Sequence, residues 1–456
     1  MIDDADVIIV GSGMAGAAVF RSLEASGLRV VVLEAGPALA AGQTHLRNLL
    51  PDDAQWRALL SAMLVPPVRA GAEPLQGVPA AGTADRVRPD QHADEVLPAL
   101  GNCSATGGNA LVWSGIVLPP EPPSGTVSTA SMEELDEASA WLAARVVTGS
   151  PRQDWLQEAH GLAPVPLAWS PERGWHGAGE LAGPRFAPWP MHAARRIVHR
   201  GGRATGVETG DRLIAARHVV VCAGVVGTIR LLWASGLDRD LPALGRGIAH
   251  HPVALAQVAM PAEAWSRMSQ DPWIGRPAAV RELPAPEGGH TLVVAEAPWM
   301  ADARVDARAV LSVYAYATLE DDSERRLTFD PEMPGPDGLP LPRFIVPRTP
   351  AVRACDARVL ERAKTWAARL GTILPSGRPR VLPAGADQHL SGGARIGSAD
   401  DPLAVADPSG RLHGLENVWI AGAAALPEPV STHPSQTIVA LAARAGRAVT
   451  ASLLRC

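Results

Sequence analysis

The 456-residue chain carries 47 acidic side chains against 41 Lys and Arg, a net charge of −6, and is 47% hydrophobic and 19% charged. That balance describes a globular protein long enough for one large or two intimately joined domains, and it excludes disorder, a basic nucleic-acid surface and attraction to an anionic membrane. Cys103, Cys222, Cys355 and Cys456 lie far apart with no Cys-x-x-Cys pair, which argues against a disulfide framework or a zinc site, so no metal is expected.

The fold begins almost at once. Asp3, Asp4 and Asp6 stand where a secretory signal would be basic, and no apolar run approaches the roughly 20 residues that span a bilayer. A cytoplasmic protein is the expectation. Val7-Ile8-Ile9-Val10 is an apolar run without alternation, the pattern of a strand buried on both faces, and it breaks into Gly11-x-Gly13-x-x-Gly16. Residues 17–26 have helical spacing up to Gly27, and Val30 to Leu33 is a second buried strand with Glu34 at its carboxyl end, 18 residues after Gly16. This is a βαβ unit with the dinucleotide fingerprint. Gly11 permits the tight turn, Gly13 lets backbone amides approach a pyrophosphate at the helix amino terminus, and Gly16 lets helix lie on strand. Glu34 is placed to accept both hydroxyls of an adenosine ribose.

Residues 37–100 are rich in Pro, Ala and Gly; 45–50 and 55–64 read as short helices and 66–88 as a long loop, either a binding lid or a merely mobile connection. The segment 101–115 is dense in glycine and small residues, which marks backbone passing close to something flat or charged. After a proline-rich loop at 118–135, residues 132–147 and 154–161 read as helices. Around 186–190 the chain turns back toward sheet, and 193–199, 206–208 and 213–216 read as hairpin strands, with turns at Gly201-Gly202 and Thr209-Gly210-Asp211. Residues 217–224 form a buried strand ending in Ala223-Gly224, followed by a helix at 226–234. Runs at 253–260, 291–295, 308–318, 327–329 and 342–346 indicate a second sheet, the last two flanking a turn at Pro336-Asp337-Gly338. An amphipathic helix covers 354–370. The last buried strand, 417–423, runs into Gly422-Ala423, and Thr432-His433-Pro434 opens a helix at 438–454.

Three separated strands thus end in small residues. Ligands of open parallel sheets sit beyond strand carboxyl ends, and three tips spread over the chain suggest a cofactor held along its length.

These segments resemble the glucose–methanol–choline (GMC) oxidoreductases, which bind FAD. The opening DADVIIVGSGMAGAAVFRSLEASGLRVVVLEAG, the loop SATGGNALVWSG, the middle segment RATGVETGDRLIAARHVVVCAGVVGTIRLLWASGL, the turn GRGIAHHP, and the terminal HLSGGARIG and NVWIAGAAALPEPVSTHPSQTIVALAARAG carry the resemblance over most of the chain. Within the family, Gly107-Gly108 with Trp113 and the run LTFDPEMPGPDGLPLPRF look most like the pyranose oxidases and their relatives. The resemblance implies an α/β fold: an FAD-binding Rossmann-like domain (1–117, 188–251, 386–456; a three-layer parallel sheet) intertwined with an α+β substrate domain on a mainly antiparallel sheet (118–187, 252–385). Some of those enzymes hold FAD covalently through a histidine before the tryptophan. Here that position is Val112, so FAD is expected to be noncovalent.

The resemblance assigns catalysis to His389 and His433. The chemistry agrees: hydride leaves a carbinol carbon more easily once the hydroxyl has lost its proton, and imidazole can take that proton at neutral pH while a second imidazole shares the developing charge. Expected cofactor contacts are Gly11, Gly13, Met14, Ala15, Gly16, Glu34 and Ala35; Gly107, Asn109, Ala110 and Ser114; Ala223 and Gly224; Gly422 and Ala423; Pro434 and Thr437. His250 and His251 are read as structural. Where the family often has Gly-Thr-Cys or Gly-Thr-His before Arg-Met-Gly, this chain has Gly393-Ala394 before Arg395-Ile396-Gly397. The expected activity is oxidation of an alcohol, a sugar or glycoside secondary hydroxyl, with oxygen or another carrier as acceptor. A GMC-fold lyase, a nicotinamide dehydrogenase and a flavin-binding protein without turnover stay open. The chain is short for the family, which favours a monomer.

Overall fold

The structure is a computed structural model and describes residues 4–38, 45–49, 91, 97, 100, 103–119, 130–210, 212–268, 280–282, 289–295, 305–335, 337–430 and 433–454. The expected helix at 55–64, the loop at 66–88, the proline-rich 120–123 and the residues Gly101, Asn102, Asp211, Pro336 and Thr432 lie outside the described residues.

In chain order, strand β1 (Asp4–Val10), helix α1 (Met14–Leu23) and strand β2 (Val30–Leu33) open the fold. Helix α2 (Met132–Trp141) precedes a meander of β3 (Ala194–Arg200), β4 (Arg203–Thr209) and β5 (Arg212–Val221), followed by helix α3 (Gly224–Ala234). The chain then builds β6 (Val253–Ala259), β7 (Thr291–Ala295), β8 (Val310–Tyr316) and helix α4 (Pro350–Leu370), and closes with β9 (Val418–Ile420) and α5 (Ser435–Leu453).

The first sheet runs β2-β1-β5-β4-β3, with β9 also paired to β5. The pairs β2·β1, β1·β5 and β5·β9 are parallel, and the meander is antiparallel. The sequence reading divides 213–216 from 217–224. The structure makes them one ten-residue strand, because no Gly or Pro interrupts 212–221 and its two halves serve different partners: Arg212–Ala215 face β4, and Val219–Val221 face β9. Val7, Ile8, Ile9, Val219, Val220 and Val418 have no exposure, as parallel strands covered on both faces require. Helix α1 packs on α5, and α5 on α2. A Cβ at Gly446 of α5 would fall 1.8 Å from Ser22 Oγ of α1, so a side chain there would have to displace that hydroxyl.

The second sheet is antiparallel through β6, β8 and β7, extended by two-residue strands at Val280–Arg281, Ala163–Pro164, Thr372–Ile373 and Arg380–Val381. Helix α4, capped by Thr349 with Pro350 in its first turn, packs on β6 and β8. The expected helix at 132–147 stops at Trp141: Ala143 takes a left-handed φ of 50°, and Arg145–Val146 pairs with Pro166–Leu167 instead. The two cores interpenetrate more than the sequence division suggests. Leu135 and Ala138 of α2, Leu181 and Ala182, and Leu327 and Phe344 of the Arg326–Pro334/Pro340–Ile345 hairpin all join the core of the first sheet. No helix among the described residues is long and apolar enough to cross a membrane.

Candidate active site

Four strand ends stand in one row. Leu33 is opposite Val10, Val10 opposite Val221, and Val221 opposite Ile420. The register continues past the strands, where Gly11 N donates to Leu33 O at 2.8 Å, Cys222 N to Val10 O at 2.8 Å and Ala421 N to Val221 O at 3.0 Å. The three small-residue tips at Gly11, Ala223-Gly224 and Gly422-Ala423 therefore share one edge, and α1 starts from it with its first-turn amides lacking helical acceptors.

The glycines there differ in what they do. Gly11 has φ +101°, and a Cβ would sit 2.5 Å from Cys222 O; a Cβ on Gly16 would sit 2.0 Å from Gly11 O. These two close the backbone on itself. A Cβ on Gly13 meets nothing nearer than Gly107 O at 3.8 Å, which leaves the amide edge of the helix open to a ligand. Met14 beside it is half-buried and Ala15 is buried under Gly422.

Glu34 is buried at the end of β2. Its Oε2 accepts from Ser12 N (3.2 Å) and Ser12 Oγ (2.5 Å), and Oε1 accepts from Gly36 N (2.8 Å). Each oxygen keeps acceptor capacity for a ribose hydroxyl. Ser12 also receives Gly107 N at 2.9 Å, so one hydroxyl ties the second strand, the first turn and the 103–114 loop together. The dinucleotide pattern leaves the Ser12 position unspecified, so nothing in the motif could have singled it out. The Trp189–His192 segment is a second such case: Trp189 pairs beside Leu33, and Glu34 N donates to Trp189 O at 3.0 Å.

The 103–114 loop lies along these tips. A Cβ on Gly36 would collide with Ser104 O, and one on Gly108 would press on Gly13 Cα. Burial, reinforced by Glu34, pushes the Cys103 thiol up to about 12. Gly107 and Ala110 are buried. Asn109 and Ser114 are exposed, and Asn109 Oδ1 accepts from Cys103 N at 2.7 Å. Ala35 and Gly224 are also exposed, Ala223 and Ala423 half-buried. Pro434 and Thr437 are buried at the start of α5, where Ser435 Oγ donates to Ile116 O at 3.2 Å, joining that helix to the segment just after the loop.

His389 and His433, 44 residues apart in the chain, come together with ring centroids 4.5 Å apart at 66°. The His389 turn is clamped on both sides: Gly392 N and Ala394 N donate to Ala423 O and Ala424 O, and Ser391 pairs with Ala249. The departure at Gly393-Ala394 has a packing cause. Gly393 has φ +82°, and a Cβ there would lie 2.6 Å from Ile229 Cδ1, so this backbone has no room for a side chain. Three further rings complete the cluster. His251 meets His389 edge-on at 5.3 Å, and Tyr316 of β8 stands 5.5 Å from His433 and stacks on His290 at 4.6 Å. His290 is 5.6 Å from His433. His290 and Tyr316 escaped the sequence reading because they come from the second sheet, where no motif marks them, and His251 was set aside with its neighbour.

Burial lowers the pKa of His389 to about 4, the Asp387 carboxylate opposing and His251 reinforcing the shift. Burial also holds His433 well below the usual histidine range, with His389, His290 and His251 adding to it. Both imidazoles are uncharged at neutral pH. His251, Asp387 and His389 present donor atoms within 4.8 Å of one another. Asp387 Oδ2 and His251 Nδ1 already engage backbone groups, so the trio reads as a hydrogen-bonded cluster. The open helix amides and the buried Glu34 carboxylate along this edge fit the groups that a dinucleotide would need.

Comparison with known proteins gives the following. Models described as GMC oxidoreductase match residues 190–253 and 328–442, and one described as FAD dependent oxidoreductase matches 6–66. A C-glycoside 3-oxidase of Arthrobacter globiformis is 26% identical over 98% of this chain and 95% of its own length. A pyranose 2-oxidase of Tricholoma matsutake is 27% identical over 54% of this chain and 48% of its own. Among solved structures, pyridoxine 4-oxidase from Mesorbium loti superposes with a TM-score of 0.63 at 15% identity, covering 97% of this chain and 98% of that one, a likeness of fold.

Proposed function

The chain belongs to the glucose–methanol–choline family of FAD-dependent oxidoreductases, and we propose that within it this protein oxidises a secondary hydroxyl of a sugar or glycoside, with His389 as base and His433 as its partner. The observation that carries this reading is the meeting of two uncharged imidazoles at 4.5 Å, half-buried His389 on a turn clamped to the third glycine-tipped strand and buried His433 at the start of α5. The sugar class rests on the oxidase relatives, above all the C-glycoside 3-oxidase that aligns over nearly the whole chain. They lend nothing to the lyase alternative.

FAD, when bound, supplies the hydride acceptor. The residues that would hold it are the tips and the loop: Gly11, Gly13, Met14, Ala15 and Gly16 at the pyrophosphate, Glu34 and Ala35 at the ribose, and Gly107, Asn109, Ala110, Ser114, Ala223, Gly224, Gly422, Ala423, Pro434 and Thr437 along the rest. The first sheet carries the cofactor, and the second, through Tyr316 and His290, faces the substrate. His389 accepts the hydroxyl proton, and His433 hydrogen-bonds the same oxygen as charge develops on it. A cluster of imidazoles and a phenol suits a substrate with several hydroxyls, each of which can donate or accept.

Anaerobic mixing tests the proposal. A panel of monosaccharides, O- and C-glycosides and simple alcohols is added to the yellow protein, and absorbance near the flavin maximum is followed. Bleaching by a sugar or glycoside supports the reading. Bleaching by simple alcohols alone overturns the substrate class, and product formation without bleaching overturns the redox reaction.

A further inference from the structure

Asp387 lies two residues before His389 in a turn built at some conformational cost. Gln388 between them is a non-glycine residue with φ +58°, in the left-handed region that side chains disfavour. That geometry brings the two flanking side chains toward each other. The Asp387 side chain has no exposure at all. Its Oδ2 accepts the amides of His251 at 2.9 Å and His389 at 3.2 Å. Its Oδ1 has no hydrogen-bond partner among the described residues, and neither does Nδ1 of His389, which stands 4.0 Å from Oδ2. Buried polar atoms without partners are uncommon in a folded protein. Nδ1 stands 4.0 Å from Oδ2, so a shift of about 1 Å brings it to hydrogen-bond distance of the carboxylate.

We propose that Asp387 is a positioning residue that receives Nδ1–H of His389, so that Nε2 is the unprotonated nitrogen presented to the substrate hydroxyl. This rests on the role of His389 given above. The substrate O–H bond breaks, an Nε2–H bond forms, and Nδ1 keeps its own proton. The Asp387 side chain would hold the imidazolium through Nδ1–H, and the carbinol hydrogen would leave with its electron pair to the bound cofactor. The arrangement also answers a difficulty of that reading: burial makes His389 a weak base, and Asp387 is the one neighbour that works against it. The other groups facing His389 are His251 from the turn before β6, His433 from the start of α5 and Tyr316 from β8. Neither imidazole stabilises a positive charge there.

Asp387→Asn keeps the shape and an acceptor for the two amides but removes the charge. With flavin content and visible spectrum unchanged, anaerobic flavin reduction is expected to fall on the order of 100-fold. The acid limb of its pH profile should move to lower pH, since the charge favouring the imidazolium is gone; a packing role alone would not move that limb. Asp387→Glu should recover part of the rate. A wild-type rate and acid limb in Asp387→Asn, alongside an impaired His389→Ala, would overturn this inference and leave the functional reading standing. An unimpaired His389→Ala would overturn the functional reading itself. Independently of whether Asp387→Asn folds, 15N spectra of histidine-labelled wild-type protein, assigned with His389→Ala, should show the Nδ1–H tautomer. The Nε2–H tautomer would refute the proposal.

Discussion

His389→Ala and His433→Ala are expected to slow anaerobic flavin reduction by about 10²–10⁴-fold, the usual worth of general acid–base groups, with flavin content preserved. His433→Asn, which keeps a hydrogen-bond donor, should lose less. With the His389 pKa near 4, the reduction rate should be flat through neutrality and fall only as pH drops toward 4, read by brief pH jumps in a stopped-flow instrument. Val112 offers no atom for a bond to the flavin. Acid precipitation should therefore leave all the yellow colour in the supernatant, and colour retained in the pellet would contradict a noncovalent cofactor.

Elements respond according to what their glycines and caps hold. Gly16→Ala places a methyl 2.0 Å from Gly11 O, which backbone cannot yield without moving α1 from β1. It should yield protein with little flavin and a markedly lower melting temperature. Gly27, which ends the first helical segment at φ +70°, has nothing within 4 Å of an added Cβ. Gly27→Ala should cost only about 1–2 kcal/mol of left-handed strain and keep full flavin. The α2–α5 contact is held by Arg444, whose Nε and Nη2 reach the two oxygens of Glu134 at 2.7 and 2.5 Å. The Arg444 hydrogen bonds, first among several causes, hold Glu134 at about 2. The pair is partly solvated, so Arg444→Met should lower stability by only about 1 kcal/mol, measured by urea unfolding.

For the whole molecule, pH acts through histidines buried in uncharged form. Burial lowers His45 and His218, like His389, to about 4 in the folded chain, against 6.5 unfolded. Between those values the unfolded chain binds more protons than the folded one, so stability rises with pH across that window. The contribution is full above 6.5 and is lost on acidification toward 4. The melting temperature should therefore fall from pH 7 to pH 5.5, above the range in which ordinary carboxylates titrate. A melting temperature unchanged over that range would show that these imidazoles are solvated in the folded state.

The βαβ opening and the three small-residue strand tips were legible in the sequence because each rests on local chemistry: a buried strand needs a continuous apolar run and a tight turn needs glycine. His389 and His433 were singled out only by the family resemblance, since a lone histidine carries no local mark of its role. The limits of helices were less legible where a tertiary partner competed, as at 142–146, where an edge strand takes residues that keep helical spacing. What only the tertiary structure decided is the meeting of distant parts. The register Leu33–Val10–Val221–Ile420 depends on hydrogen bonds between strands up to hundreds of residues apart. The enclosure of His389 by Asp387, His251 and Tyr316 depends on a second sheet docking against the first. Burial, which sets the charge of those imidazoles, is a property of that docking and has no local signature in the chain.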